Sequence, residues 1–239
     1  MLEFRRLISL AFVVTMPLGL ATAQPAVGVT SGVSGPVTGG AFNLPQSNWS
    51  GLDTLGYVET EWFLDGVATG YEAVGPWGSD GIWPAVESGT TTFRTRILVR
   101  RPVEPARFNG TVVVEWNNVT AGFDIGPTWT ASYDEIVRGG YAYIGVSAQS
   151  VGVNAMKTGD PGRYETLDHP GDRYSYDIFT QAARSVRGAQ ARVLLPGLAV
   201  DKGLATGESQ SASRLVTYIN AVHPLERAFN GFLVYSRGS

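Results

Sequence analysis

The sequence predicts an α/β fold, and two features carry that prediction. Residues 111–116 and 141–146 are short apolar runs typical of buried strands, and residues 127–139 between them have helical spacing. A strand, a helix and a second strand form a βαβ unit, in which the two strands are parallel. Further along the chain, residues 176–193 repeat the helical pattern before a very short strand over 204–206.

The first segment predicts export. Arg5 and Arg6 precede a mostly apolar stretch over 7–20, and Ala23 closes the small-x-small pattern that signal peptidases accept. We expect a signal peptide over residues 1–23 and a secreted or periplasmic protein. The apolar stretch is shorter than the roughly 20 residues of a membrane-spanning helix, so we expect no stable membrane span after cleavage. An uncleaved anchor is the alternative.

The next two segments are rich in glycine. Residues 24–45 have no usable periodicity and predict a flexible leader without a function. Residues 56–86 alternate aromatic and acidic residues with glycines, which favours short strands joined by tight turns. Trp62, Trp77 and Trp83 lie there, and they either line a sugar-binding face or pack in the core.

The middle of the chain gives the clearest strand signals. Residues 92–100 alternate apolar and polar side chains, which predicts a strand with one buried and one exposed face. Residues 111–116 are nearly continuously β-branched or aromatic, as in a central strand covered on both faces. Residues 149–173 are polar and glycine-rich, and predict a long loop.

Composition excludes several classes of function. The 239 residues include no cysteine, which excludes disulfides, thiolate metal sites and a cysteine nucleophile. With a net charge of −3 and only two lysines, Lys157 and Lys202, the chain has no basic stripe, so we expect no nucleic-acid partner. The two histidines lie far apart in sequence and no His-Glu-x-x-His motif is present, so we expect neither a metal nor a cofactor.

The segment 207–211, with the sequence Gly-Glu-Ser-Gln-Ser, lies between the strand over 204–206 and an amphipathic helix. This is the context of a nucleophile elbow, a sharp turn that lifts the central serine clear of the sheet and requires small residues two before and two after it. Gly207 and Ser211 are small, although the usual pattern ends in glycine. Ser209 is therefore the candidate nucleophile, and the alternative is a serine that caps the helix N-terminus.

An oxyanion hole would lie beside this serine. The elbow places the backbone N–H of Gln210 at the helix start, where unpaired donors stabilise a developing negative charge. A second donor is expected from the loop after the strand that ends at Trp116, at Asn117, Asn118 or Val119.

Two further residues are candidates for the pocket. Glu208 flanks the nucleophile and would orient a loop or contact substrate; an exposed turn carboxylate is the alternative. His169 lies in the long loop on the side of the sheet where such sites open, and the alternative there is a simple turn residue.

Several segments together resemble the bacterial alpha/beta hydrolase domain-containing proteins, which are exported serine hydrolases. These segments are 95–102 (TRILVRRP), 112–117 (VVVEWN), 145–149 (GVSAQ), 169–172 with 174–177, and 207–211 with 220–224. The resemblance covers about residues 50–239. It implies an α/β-hydrolase fold, a mostly parallel sheet flanked by helices, with residues 46–239 as its N-terminal part and Ser209 as the nucleophile.

The partners of the nucleophile are not evident. In this fold the acid and then the histidine follow the serine along the chain. His169 precedes Ser209, and His223 would lie about 21 Å further along the same helix, out of reach. We therefore expect a fragment that ends after about the sixth core strand and lacks the acid and the histidine. The expected activity is hydrolysis of small-molecule or polymer esters through an acyl-enzyme. The alternative is a non-catalytic glycan- or polymer-binding module.

Overall fold

A single mixed β-sheet organises the part of the chain that the computed structural model describes, residues 31–39 and 49–238. The strands are β1 (Gly32–Ser34), β2 (Tyr57–Ala73), β3 (Ala85–Pro102), β4 (Thr111–Trp116), β5 (Ala142–Val146), β6 (Lys202–Glu208) and β7 (Gly231–Tyr235). Their order in the sheet is β1-β2-β3-β5-β4-β6-β7. Four adjacent strands, from β5 to β7, are parallel, and β1, β2 and β3 join them through antiparallel pairs. The expected signal peptide lies outside the described residues.

Helices cover both faces of this sheet. They are α1 (Pro127–Arg138), α2 (Ser150–Gly159), α3 (Pro161–Tyr164), α4 (Ser175–Ser185), α5 (Ala191–Leu194), α6 (Gln210–Thr217) and α7 (His223–Glu226). A π-helical turn over 218–222 joins α6 to α7. α1 packs against one face through Trp129 and Ile136, and α4 and α6 pack against the other through Phe179 and Leu215. None of the helices described is long and apolar enough to cross a membrane.

The predicted βαβ unit is confirmed by β4, α1 and β5. Val114 pairs with Ile144 in the parallel register, and β4 lies between β5 and β6, so it is an interior strand. The carboxylate of Glu115 on β4 accepts the first-turn N–H groups of Thr128 at 2.7 Å and Trp129 at 3.1 Å. Burial raises the pKa of Glu115 above its ordinary value despite these bonds. The buried carboxyl fixes the start of α1 against the sheet.

The region expected to form short strands forms one long hairpin instead. β2 and β3 have 17 and 18 residues and pair along almost their whole length. At Gly70 of β2 the neighbouring strand leaves no room for a side chain, because a Cβ there would lie 2.6 Å from the carbonyl oxygen of Ser88.

The expectation that β3 has one exposed face is wrong. Arg96 and Arg100 are fully buried, because they pair with carboxylates of the adjacent strand. The Arg96 guanidinium lies 2.6 Å from Glu61, and that of Arg100 lies 2.8 Å from Glu59. At these two positions the polar side chains are therefore paired inside the protein rather than hydrated.

Three further segments differ from expectation. Gly32–Ser34, within the segment expected to be a leader, pairs with β2 and adds a seventh strand to the sheet, so this part is joined to the domain. The expected loop over 149–173 contains α2 and α3, because Asp172 accepts the N–H at the start of α2 from 22 residues further along the chain. The helix expected over 176–193 ends at Ser185, and α5 follows it.

Candidate active site

The candidate residues meet at the carboxyl ends of the parallel strands. From β4 the chain crosses to β5 on one side, and from β6 it crosses to β7 on the other. Adjacent strands whose connections diverge in this way leave a crevice at their carboxyl ends, where α/β proteins bind ligands. Residues 117–119 follow β4 at this point, and residues 209–210 follow β6.

Ser209 occupies the junction between β6 and α6 in a strained backbone conformation. Its φ is 53° and its ψ is −112°, outside the regions that residues with a Cβ ordinarily adopt. Its N–H donates to the carbonyl of Tyr235 at 3.2 Å, which ties the turn to β7. The half-buried side chain makes no capping hydrogen bond to α6. A strained strand-to-helix turn of this kind is what a nucleophile elbow requires, and the missing cap bond does not favour the helix-cap alternative.

Gly207 and Ser211, the small residues on either side of the turn, are required for different physical reasons. A Cβ on Gly207 would lie 3.0 Å from the backbone oxygen of Ser211 and 3.3 Å from the nitrogen of Ala212, so the first turn of α6 leaves no room for a side chain. Ser211 is fully buried, and its hydroxyl accepts the N–H of Glu208 at 3.1 Å and donates to its carbonyl at 3.0 Å. The serine at 211, where the usual pattern has glycine, thus closes the turn through its hydroxyl.

The backbone N–H groups of the three candidate residues after β4 differ in their hydrogen-bond partners. The N–H of Asn117 donates to Val146 at 3.2 Å, and that of Asn118 donates to Ile125 at 2.8 Å. Both groups are occupied by main-chain acceptors. The N–H of Val119 instead faces a side chain, the amide oxygen of Gln210, at the long distance of 3.4 Å. Val119 is therefore the residue of this loop whose N–H is bonded least tightly.

Glu208 lies against the loop rather than in open solvent. Its carboxylate accepts the Asn118 side-chain amide at 3.2 Å, and its main-chain oxygen accepts the same amide at 2.9 Å. The side chain is half-buried. Of the two sequence interpretations, the contact with a loop is the one this geometry fits.

A polar network that the sequence reasoning missed supports Gln210 from the other side. Gln149, directly before α2, accepts the Gln210 amide at 3.0 Å and the Trp116 indole N–H at 3.1 Å, and donates to Asp172 at 3.2 Å. Asp172 also accepts Arg214 of α6 at 3.0 Å. Gln149 and Asp172 both lie in segments that carry the family resemblance, and no pattern within the sequence links either of them to Gln210.

The electrostatics of Asp172 follow from these contacts. Burial acts to raise the pKa of the Asp172 carboxyl. Hydrogen bonds from Ser150 and Gln149, together with the Arg214 charge, outweigh it and hold the pKa below the ordinary value. Asp172 is therefore a permanent anion at neutral pH.

Neither histidine bonds to Ser209. The Nε2–H of His169 donates to Ala148 at 2.9 Å, and its Nδ1 accepts the N–H of Gly171 at 3.2 Å, so both ring nitrogens are engaged. Burial lowers the pKa of His169, which keeps the ring neutral. The ring of His223 packs edge-on against Phe232, with centroids 4.8 Å apart. His169 thus holds its own segment against the end of β5.

The three clustered tryptophans do not share a surface. Trp62 is buried in the core beneath the sheet. Trp77 and Trp83 stack on each other at the tip of the β2–β3 hairpin, with ring centroids 5.1 Å apart and planes 6° from parallel. Their indole N–H groups donate to main-chain oxygens of the same turn. The three rings form no common sugar-binding face.

Comparison with known proteins gives the following matches. A family model described as an alpha/beta hydrolase domain matches residues 33–239. Among solved structures, oligopeptidase B from Trypanosoma brucei is 15% identical, with a TM-score of 0.40 over 74% of this chain and 20% of that chain. A putative dienelactone hydrolase from Klebsiella pneumoniae is 14% identical, with a TM-score of 0.38 over 72% of this chain and 60% of that chain.

A glucuronoyl esterase from Solibacter usitatus is 10% identical, with a TM-score of 0.39 over 88% of this chain and 53% of that chain. The chain thus spans between 20% and 60% of the lengths of these three proteins. The comparison with curated proteins finds no match.

Proposed function

Because the chain belongs to the alpha/beta hydrolase domain family, we propose that it is a serine hydrolase that cleaves carboxylic esters through an acyl-enzyme on Ser209. The observation that carries this proposal is the backbone of Ser209, held at φ 53° between β6 and α6 with its hydroxyl free of any capping bond. Strain of this kind costs about 1–3 kcal/mol and persists only where the surroundings enforce it. A serine that served only to cap a helix would not require it.

The proposed reaction has two stages. The Ser209 oxygen attacks the ester carbonyl carbon, and the carbonyl oxygen takes up the negative charge. The N–H groups of Gln210 and Val119 donate to this oxygen, with the Val119 N–H released from the Gln210 side chain. The intermediate then expels the alcohol, and water releases the acid from Ser209 in a second attack of the same kind.

The proposal requires a proton acceptor for Ser209. The two histidines of the sequence are committed elsewhere, His169 to main-chain groups and His223 to an aromatic cluster. The base and its acid partner are therefore proposed to come from a longer gene product. Export through residues 1–23 to the periplasm or medium, and a small-molecule or polymer ester as substrate, belong to the same proposal.

A fluorophosphonate probe tests the nucleophile directly, because it forms a covalent bond only with an activated serine. The comparison uses the 1–239 protein, a protein extended into any downstream reading frame, and Ser209→Ala in each. Ser213→Ala is the matched control, since Ser213 is an exposed serine on the same helix. We expect labelling of the extended protein and its Ser213→Ala variant, and none after Ser209→Ala.

Two other outcomes are informative. Folded protein that does not label in any form would overturn the hydrolase proposal and favour a binding module. Turnover of short acyl esters by the 1–239 protein at ordinary enzyme rates, lost in Ser209→Ala, would show that no external base is needed.

A further inference from the structure

We infer that Asn118 is a positioning residue that sets the spacing between the two oxyanion donors, Gln210 and Val119. The inference rests on the proposed function, because it concerns the same oxyanion site. Sequence reasoning placed Asn118 among the donors themselves. Its backbone N–H is occupied by Ile125, so any contribution it makes acts through the residues it holds.

Every polar group of Asn118 has a partner. The side-chain Nδ2 donates to the main-chain oxygen of Glu208 at 2.9 Å and to its carboxylate at 3.2 Å. The side-chain Oδ1 accepts the N–H of Thr120 at 2.9 Å. The backbone N–H and C=O exchange hydrogen bonds with Ile125 at 2.8 and 2.9 Å. The residue is 2% exposed, so these bonds do not compete with bulk water.

These contacts join the two halves of the proposed oxyanion hole. Glu208 immediately precedes Ser209, and Val119 immediately follows Asn118. The pairing of Asn118 with Ile125 closes the loop between them, and the N–H of Gly122 donates to the oxygen of Val119 at 3.0 Å. The short, stiff amide of Asn118 therefore fixes the Val119 peptide relative to the elbow.

The chemistry of the contacts selects asparagine. One end of the side chain must donate to a carbonyl and a carboxylate, and the other must accept a backbone N–H. Aspartate keeps the acceptor but loses the donor, and it sets a second carboxylate against Glu208. Glutamine has both groups, but its additional methylene displaces the loop from the elbow.

Asn118→Asp tests the inference in the protein form whose Ser209 reacts with the probe. Removal of one oxyanion donor typically lowers kcat by about 100- to 1000-fold, and a displaced donor retains part of its effect. We expect kcat for a short p-nitrophenyl ester to fall by about 10- to 100-fold, with KM changed by less than about threefold, since the oxyanion forms only in the transition state. Asn154→Asp is the matched control, because Asn154 is exposed on α2.

A rescue variant separates positioning from general damage to the fold. In Asn118→Asp with Glu208→Gln, the new amide can donate to the new carboxylate, so we expect kcat to recover several-fold over Asn118→Asp alone. Glu208→Gln alone is measured as the reference for the double variant. If Asn118→Asp does not fold, Asn118→Gln keeps the donor and acceptor and should show the same loss of kcat.

The inference and the proposed function fail in different ways. Wild-type kcat in Asn118→Asp or in Asn118→Gln, with Ser209 still labelled, would overturn the inference and leave the serine hydrolase intact. A rise in KM with unchanged kcat would also overturn it, because that pattern indicates lost substrate binding. A wild-type protein whose Ser209 does not label removes the proposed function, and the inference with it.

Discussion

The backbone strain at Ser209 predicts that Ser209→Gly stabilises the fold while it abolishes the proposed activity. At φ 53° and ψ −112° the Cβ of Ser209 is the source of the conflict, and glycine has none. Ser209→Ala keeps the Cβ and therefore keeps the strain. The difference between these two variants isolates the backbone contribution from the loss of the hydroxyl.

The magnitude follows from two opposing contributions. Relief of the strained backbone returns about 1–3 kcal/mol. Against it, glycine gives the unfolded chain more freedom, which costs about 0.4–1 kcal/mol. The net gain is roughly 0.5–2 kcal/mol. For a domain of this length each kcal/mol shifts the unfolding midpoint by about 2–4 °C, so Ser209→Gly should unfold about 1–8 °C above Ser209→Ala.

Thermal and urea unfolding, followed by far-UV circular dichroism, measure the difference. Ser213→Gly is the matched control: Ser213 is exposed in the same helix with ordinary helical geometry. There the same change should lower the free energy of unfolding by about 0.5 kcal/mol through helix propensity alone. A midpoint for Ser209→Gly at or below that of Ser209→Ala would refute the argument that the fold holds this serine under strain.

Three further predictions concern the surroundings of the site. Gly207→Ala should destabilise the fold by about 1–3 kcal/mol and suppress probe labelling, because its Cβ would lie 3.0 Å from a backbone oxygen of α6. The control Gly162→Ala, whose Cβ would have its nearest neighbour at 3.6 Å, should change neither the thermal unfolding nor the labelling. Burial lowers the pKa of His169, so below about pH 6.5 the unfolded chain binds a proton that the folded chain does not. The unfolding temperature should therefore decrease as the pH is lowered from 7.5 to 5.5, and it should decrease less steeply in His169→Gln. Gln210→Met removes the side-chain oxygen that accepts the Val119 N–H. It should speed probe labelling by about 2- to 10-fold, which corresponds to the net free energy of one hydrogen bond. Slower labelling would show that the Gln210 amide assists the reaction.

The strand, turn and helix around Ser209 could be predicted from sequence because the requirements of such a turn are local. The small residues at 207 and 211, the short strand before them and the amphipathic helix after them all lie within about twenty residues. The sterics that exclude a Cβ from Gly207 arise from the first turn of that same helix. The βαβ unit was predictable for a similar reason, since periodicity within a run reports which face is buried.

The buried arginines of β3 could not be predicted in this way. Arg96 and Arg100 look like solvent-facing residues in an alternating strand, and their burial depends on carboxylates 35 and 41 residues earlier in the chain. The register of the hairpin places each arginine near its partner, and that register is a property of the pair of strands. A single strand read alone contains no information about it.

The prediction of a loop over residues 149–173 was wrong for a related reason. Its glycines and polar residues give α2 little intrinsic helical preference, and the carboxylate that accepts its first N–H, that of Ser150, comes from Asp172. Asp172 is held in turn by Arg214, so the helix, the turn and α6 stabilise one another through one anion.

The same distinction explains which parts of the candidate site were missed. An oxyanion hole works only if its donors are fixed before the charge develops, because donors that must reorient at that moment return little of their energy to the reaction. The residues that bond to this segment from elsewhere in the chain, Asn118 to Glu208 and Gln149 to the Gln210 side chain, do so across 90 and 61 residues of sequence. A motif marks where the bond-forming atom lies, because the turn that presents it is local. The side chains that surround the turn take their partners from whichever strands the topology brings together, so their contacts become visible only when the carboxyl ends of β4, β5 and β6 are seen side by side.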